Sequence, residues 1–309
     1  MTTALYSHES CLRHDPGAGH PESPDRLKVV LSALEEENFA ALDRHEAPRA
    51  TTEQIARVHP IDHVTRVLEK MPKQGYARLD ADTVVSPASR EAVLRAAGAV
   101  CAAVDTVVAG AVTNAFCAIR PPGHHAEPSV PMGFCIFNSI AIGAAQARSV
   151  HGMERVAVID FDVHHGNGTQ ASFYDDPNLF YASTHQAPLY PGTGSPRERG
   201  CRDNIVNAPL PPGAGSDMFR EVMTSRILPA LQHFSPEILL VSAGFDAHTD
   251  DPLAGLQFTD DDYRWVTTEL ARVADQCCGG RLVSALEGGY DLDALARCVS
   301  IHVDALMQA

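Results

Sequence analysis

Val156–Thr169 reads VAVIDFDVHHGNGT. The segment begins as an apolar run of the kind that forms a buried strand. It then turns abruptly into Asp160, Asp162, His164 and His165, followed by Gly166, Asn167 and Gly168. Charges packed so densely at the end of a core strand are costly to bury unless they are paired or hold a metal. Asp160, Asp162 and His164 are spaced by two, so an extended backbone points all three to one side. His165 is offset by one residue from that face and suits loop support better than ligation. The segment therefore reads as part of a metal site at the carboxyl end of a strand.

The same arrangement recurs along the chain. Strand Ala115–Ile119 leads into RPPGHHAE, Leu179–Ser183 into THQAPLYPGTG, Glu237–Val241 into SAGFDAHTDDPLAG, and Arg281–Leu286 into EGGYD. Helices are expected over 88–109, 138–150, 216–234, 260–277 and 292–307, the fourth capped by Thr259. Nearer the amino terminus, ALYSH is a short strand. Ser23 and Pro24 then open a helix whose apolar stripe is Leu27, Val30, Leu31 and Leu34. A short strand near Ala47, helices after Thr52 and over 62–70, and an exposed loop over 71–87 follow. Alternating strands and helices predict an α/β fold, with a mostly parallel sheet covered on both faces. Ligands of such sheets bind outside the carboxyl ends of the strands, where the polar clusters converge. No linker rich in Pro, Gly or Ser divides the chain, so residues 1–309 are expected to form a single domain.

Apolar residues make up 45% of the 309 and charged residues 20%, a composition that supports a sizeable core. Acidic residues outnumber Lys and Arg by 39 to 24, a net charge of −15. That balance argues against nucleic acid as a partner and would welcome cationic substrates. Eight scattered cysteines without a CxxC pair read as reduced core thiols. No signal peptide or membrane-spanning segment is visible, so the cytoplasm is the expected location.

The chemistry needs more than two ligands. Asp246, after the apolar run EILLV, is the best third ligand beside Asp162 and His164. Two carboxylates and an imidazole suit Zn2+ and tolerate Fe2+ or Co2+. His124 and His125 supply two imidazoles for acid–base work on the rigid turn after Pro121 and Pro122. Asp160 is free to orient His124, and Asn167 is a candidate partner for His125. Tyr290 follows two glycines, and its hydroxyl is placed to donate to a developing oxyanion.

Taken together, RPPGHHAE, MGFCIFNS, DFDVHHGNGT, YPGTG, SAGFDAHTDDPLAGL and LEGGY resemble the histone deacetylase superfamily. The match is to its class II-like bacterial branch, which includes the acetylpolyamine amidohydrolases. The resemblance runs from about His20 to the end of the chain. It implies the arginase-deacetylase fold, a three-layer α/β/α sandwich on a largely parallel eight-stranded sheet. It makes Asp162, His164 and Asp246 zinc ligands, His124 and His125 the general acid/base pair, and Tyr290 the oxyanion donor. Asn167 stands where class I members carry an aspartate. The resemblance also implies a potassium site at Asp160, Asp162, His164, Ser183 and Thr184. A second potassium site would fall at Phe173, Asp176, Leu179 and Asn204. Along the substrate path it places Gly133, Phe134, Tyr190 (commonly Phe), Leu253, Gly288, Asp82 at the rim, and Arg26 near the inner acetate cavity.

The expected reaction is hydrolysis of the acetyl amide of acetyl-lysine-type substrates. The alternative is an acetylpolyamine amidohydrolase with the same machinery. Leu253 falls where polyamine-selective relatives carry a glutamate, which favours the first, whereas Asp82 and the net charge favour the second. An arginase-type ureohydrolase would need a different Asp/His pattern, and a silent acyl-lysine binder would be expected to have lost a histidine or Tyr290.

Overall fold

The computed structural model describes residues 2–309. Its main sheet contains strands β1 (Thr3–Ser7), β2 (Asp43–Glu46), β5 (Asn114–Cys117), β6 (Val156–Asp160), β7 (Leu179–Gln186), β8 (Ile205–Leu210), β9 (Ile238–Ala243) and β10 (Leu282–Leu286). Strands β3 (Ala77–Arg78) and β4 (Val84–Val85) form a small antiparallel pair in the loop over 71–87. The order across the eight-stranded sheet is β2-β1-β5-β10-β9-β6-β7-β8. Every pairing in it is parallel.

Parallel strands need crossovers, and the crossover helices cover both faces. Central strands are therefore apolar along their whole length, as VAVID and ILLVSA show by being buried at every residue. One core lies beneath Pro24–Ala33, Asp260–Cys278 and Leu292–Met307. Another lies beneath Ser89–Val108 and Ser139–His151. The adjacent strands β5, β10, β9 and β6 each deliver a polar segment at the same edge of the sheet.

Four local details differ from expectation. The residues near Ala47 form their strand earlier, over Asp43–Glu46. Strand β8 was not expected, because its sequence IVNAPL contains Asn207 and Pro209. It is the outer strand of the sheet, where a proline's missing N–H leaves no partner unsatisfied. The helix over 216–234 contains a π turn at Met223–Ile227, just before Pro229. Proline cannot donate to the preceding turn, and the wider turn accommodates it. Pro24 opens its helix as expected, but Ser23 makes no side-chain cap.

Candidate metal centre and catalytic site

Asp162 and His164 leave the end of β6, and Asp246 leaves the end of β9 beside it. His164 Nδ1 lies 3.1 Å from Asp162 Oδ1 and 3.1 Å from Asp246 Oδ2. Backbone donors fix both carboxylates: His164 N donates to Asp162 (2.9 Å), Gly288 N to Asp162 (2.8 Å) and Val163 N to Asp246 (2.9 Å). Gly288 packs directly against these two carboxylates. A Cβ there would collide with both.

This cradle fits a divalent ion. Two carboxylates, each about 1% exposed, face one imidazole, and their donor atoms lie within 4.8 Å of one another. Burial and the negative charge of Asp162 push Asp246 up to about 7. Burial works against protonation of His164, but hydrogen bonds to Asp162 and Asp246 prevail and push it up to about 10. In the metal-free chain an imidazolium supplies the positive charge that a metal would bring. Metal binding must therefore displace that proton. Zinc binding near pH 8 is expected to release about one proton per ion, rising as pH falls and Asp246 also protonates. Calorimetry in two buffers of different ionisation heat measures this, and an enthalpy independent of buffer contradicts it.

Two other groups of metal-type donors occur among the described residues, and both are internally satisfied. Asp260, beside His248 and Cys298, is ion-paired to Arg297. In the group of His124, Cys135 and Glu287, the Glu287 carboxylate already accepts from Gly123 N (2.7 Å) and His124 N (3.1 Å). Cys135 Sγ accepts from His125 N.

The tandem histidines stand on the turn after β5. His124 Nδ1 is 3.0 Å from Asp160 Oδ2, and His125 Nδ1 is 2.8 Å from Asn167 Oδ1. Burial opposes charge on His124, but Asp162, Asp160 and Glu287 outweigh it and raise its pKa well above the usual imidazole range. Burial lowers the pKa of His125, and the neighbouring positive charges of His124 and His164 lower it further. The pair is thus divided into a charged first imidazole and a neutral second one, the division expected of an acid/base site. Because a base works above its own pKa, the acid limb set by His125 should fall below the ordinary imidazole value of ~6.5.

Tyr290 is held by its backbone and ring. Its N–H donates to Asp251 (2.7 Å), the Arg26 guanidinium sits 4.9 Å from its ring centroid, and the Phe134 ring meets it edge-on at 6.1 Å. Burial raises the phenol well above 10, Arg26 opposes this and Asp246 and Asp162 add to it, so the hydroxyl remains a donor. Arg26 is completely buried and donates to the carbonyls of Gly289 and Glu287 (both 2.6 Å). It also donates to the buried Glu22, which pairs with Arg120.

Aromatic rings flank the histidines and Tyr290. The Tyr190 ring stands edge-on to His125 at 5.1 Å and to His164 at 6.3 Å. Gly133 and Phe134 both adopt positive φ, +58° and +66°. At Gly133 a side chain would also strike the His125 ring. Asp82 accepts from Gly133 N (3.1 Å) and Thr83 from Phe134 N (3.2 Å), so the rim aspartate holds the wall in place. Leu253 is 37% exposed on the neighbouring loop.

The remaining residues are placed as follows. His165 lies outside the ligand set and bonds Thr193 (2.7 Å) and Gln170 (3.0 Å), a loop support. Asp160 and Ser183 face each other in register on β6 and β7, and the Thr184 hydroxyl is buried without a partner. Asn204 Nδ2 donates to the carbonyls of Phe173 (2.9 Å), Asp176 (3.0 Å) and Leu179 (2.7 Å), bringing all four residues together. Sequence reasoning missed Glu287 and Asp251, whose carboxylates hold backbone N–H groups of the His124 and Tyr290 turns. For Asp251 a signal existed in DDPLAG, where Leu253 N donates back to it (3.0 Å) as in an Asx turn.

Comparison with known proteins agrees with this geometry. The family model described as "Histone deacetylase domain" matches residues 20–306. Histone deacetylase 14, chloroplastic, of Arabidopsis thaliana is 40% identical over 98% of this chain and 76% of its own length. A histone deacetylase-like amidohydrolase of Pseudomonas aeruginosa is 39% identical over 93% of this chain and 81% of its own. A probable deacetylase of Archaeoglobus fulgidus is 38% identical, covering 99% and 86%. Among solved structures, the HDA15 HD domain superposes with a TM-score of 0.92 at 33% identity, covering 98% of this chain and 88% of that one.

Proposed function

Because the chain belongs to the histone deacetylase family and is a deacetylase-type amidohydrolase, we propose that it is a zinc enzyme that hydrolyses acetyl-lysine to lysine and acetate. The observation that carries this reading is the meeting of Asp162, His164 and Asp246 beside a neutral, Asn167-bonded His125. When bound, the ion acts as a Lewis acid and lowers the pKa of a water molecule.

The protein's own groups do the rest. His125 Nε2 accepts the water proton as the oxygen attacks the acetyl carbon. Tyr290 Oη donates to the oxyanion that develops on the former carbonyl, and the positive charge on His124 favours that anion. Protonated His125 then returns its proton to the amine nitrogen as the C–N bond breaks. Tyr190, Gly133 and Phe134 form the walls that align the acyl chain.

The acetyl-lysine assignment is supported by Leu253, an apolar group where a distal ammonium would need a carboxylate. A second reading, acetylpolyamine hydrolysis, is favoured by the charge at the rim. Burial, then the negative field of carboxylates including Asp82, Asp80 and Glu127, raises the Tyr190 phenol. Turnover of acetyl-lysine peptides against acetylated putrescine, cadaverine and spermidine decides between them. Peptide should give the higher kcat/KM, and a polyamine preferred by about tenfold overturns the assignment. Asp82→Asn keeps an acceptor for Gly133 N while removing the charge. It should raise KM only for substrates with a second positive charge.

Potassium is proposed at Asp160, Asp162, His164, Ser183 and Thr184, supported by the facing of Asp160 and Ser183. At the outer position the Asn204 amide occupies the three carbonyls that a cation would take, so potassium there requires the amide to turn. The eight cysteines are unpaired, which supports a reducing compartment such as the cytoplasm. Among the described residues no helix is long and apolar enough to cross a membrane.

A further inference from the structure

Asn167 is an awkward partner for a catalytic base. An aspartate offers only acceptors to the imidazole, whereas an amide presents either an oxygen or an NH2 group, depending on which way it is turned. With the oxygen toward His125 Nδ1, that nitrogen must carry the proton and Nε2 keeps its lone pair. With the NH2 toward it, Nδ1 must be the acceptor, Nε2 carries the proton, and the ring cannot act as a base.

The surroundings of the amide choose between these states. Asn167 Nδ2 lies 2.8 Å from Glu127 Oε1, 3.3 Å from the His125 carbonyl and 3.4 Å from Met132 Sδ. All three are acceptors, so a turned amide would set its oxygen against three electron-rich atoms. Glu127 is the nearest and the only charged one. Its backbone is itself pinned, since Glu127 N donates to Val130 O at 3.0 Å. Glu127 is also the last residue of RPPGHHAE, two places after His125, so one turn supplies both the base and the lock on its partner.

We infer that Glu127 is a positioning residue that locks the Asn167 amide and thereby fixes His125 as the Nδ1–H tautomer, the form able to accept a proton at Nε2. The inference rests on the amidohydrolase reading of the site. Glu127 acts through Asn167 and need not touch substrate.

The test measures kcat on an acetyl-lysine peptide together with the His125 tautomer from imidazole 15N shifts of the zinc-loaded protein. Glu127→Ala should lower kcat by about 10- to 100-fold, as for removal of a group that orients a working histidine. It should also move His125 away from the Nδ1–H form. Glu127→Gln, whose amide oxygen still accepts from Asn167, should stay within about threefold of wild type. In an Asn167→Asp background there is no amide to turn, so adding Glu127→Ala should cost less than about twofold. An equal loss in both backgrounds, an unchanged tautomer in Glu127→Ala, or a Glu127→Gln loss as large as that of Glu127→Ala overturns the inference. The tautomer is read without turnover, so it still decides the point if the substrate assignment fails.

Discussion

Tyr290→Phe is expected to lower kcat by about 10²- to 10³-fold while zinc content and fold stay unchanged. The contacts that hold this residue are its backbone bond to Asp251 and its ring contacts with Arg26 and Phe134. Phenylalanine keeps all of them and removes only the hydroxyl. That hydroxyl is held protonated by burial and by the Asp246 and Asp162 charges, against the opposing effect of Arg26. In the proposed mechanism it donates to charge that exists only in the transition state, so its loss should fall on kcat and leave KM nearly unchanged. Steady-state kinetics beside metal analysis measure this. Near-wild-type turnover contradicts the oxyanion role, and loss of zinc moves the role to metal retention.

Gly288→Ala is expected to reduce zinc affinity by at least about 100-fold, the upper end for removing an outer-shell support. The added methyl would occupy the space of the Asp162 and Asp246 carboxylate oxygens. Neither carboxylate can retreat freely, because Val163 N and His164 N hold the other oxygen of each, Asp246 Oδ1 and Asp162 Oδ1, to the end of β6. One carboxylate must turn out of the ligand set. Gly288 itself, unlike its neighbour Gly289, does not adopt a positive φ, so the variant should fold and lose metal selectively. Zinc retained in a dialysis competition at wild-type affinity contradicts this.

The parts of the site that were legible in the sequence are those whose chemistry is local. Asp162 and His164 declare themselves as charges packed just past the end of an apolar strand, although the strand stops at Asp160 and its pleat does not extend to them. Asp246, His124 and Tyr290 declare themselves because charged or polar groups follow apolar runs at strand ends. Other supports act across the sheet and leave no local pattern. Glu287 holds backbone donors on the β5 turn, and Asp251 those on the β10 turn. Arg26 sits on an amphipathic helix where an arginine ordinarily faces water. Its burial makes sense only with Glu22, Arg120 and two carbonyls from the far end of the chain. Burial raises the Glu22 pKa, but Arg120, His14 and Arg26 prevail and hold the carboxyl well below the usual carboxylate range. Strand β8 was hidden for a different reason: an outer strand tolerates Asn207 and Pro209, which weaken every strand signal.

The most direct test is a zinc titration of chelator-stripped enzyme, with acetyl-lysine peptide hydrolysis as the readout. The stripped protein should be inactive, and activity should rise linearly to a break at about one equivalent of zinc, as a single Asp162–His164–Asp246 centre requires. Turnover by the metal-free protein, or a break at two equivalents, would contradict the account.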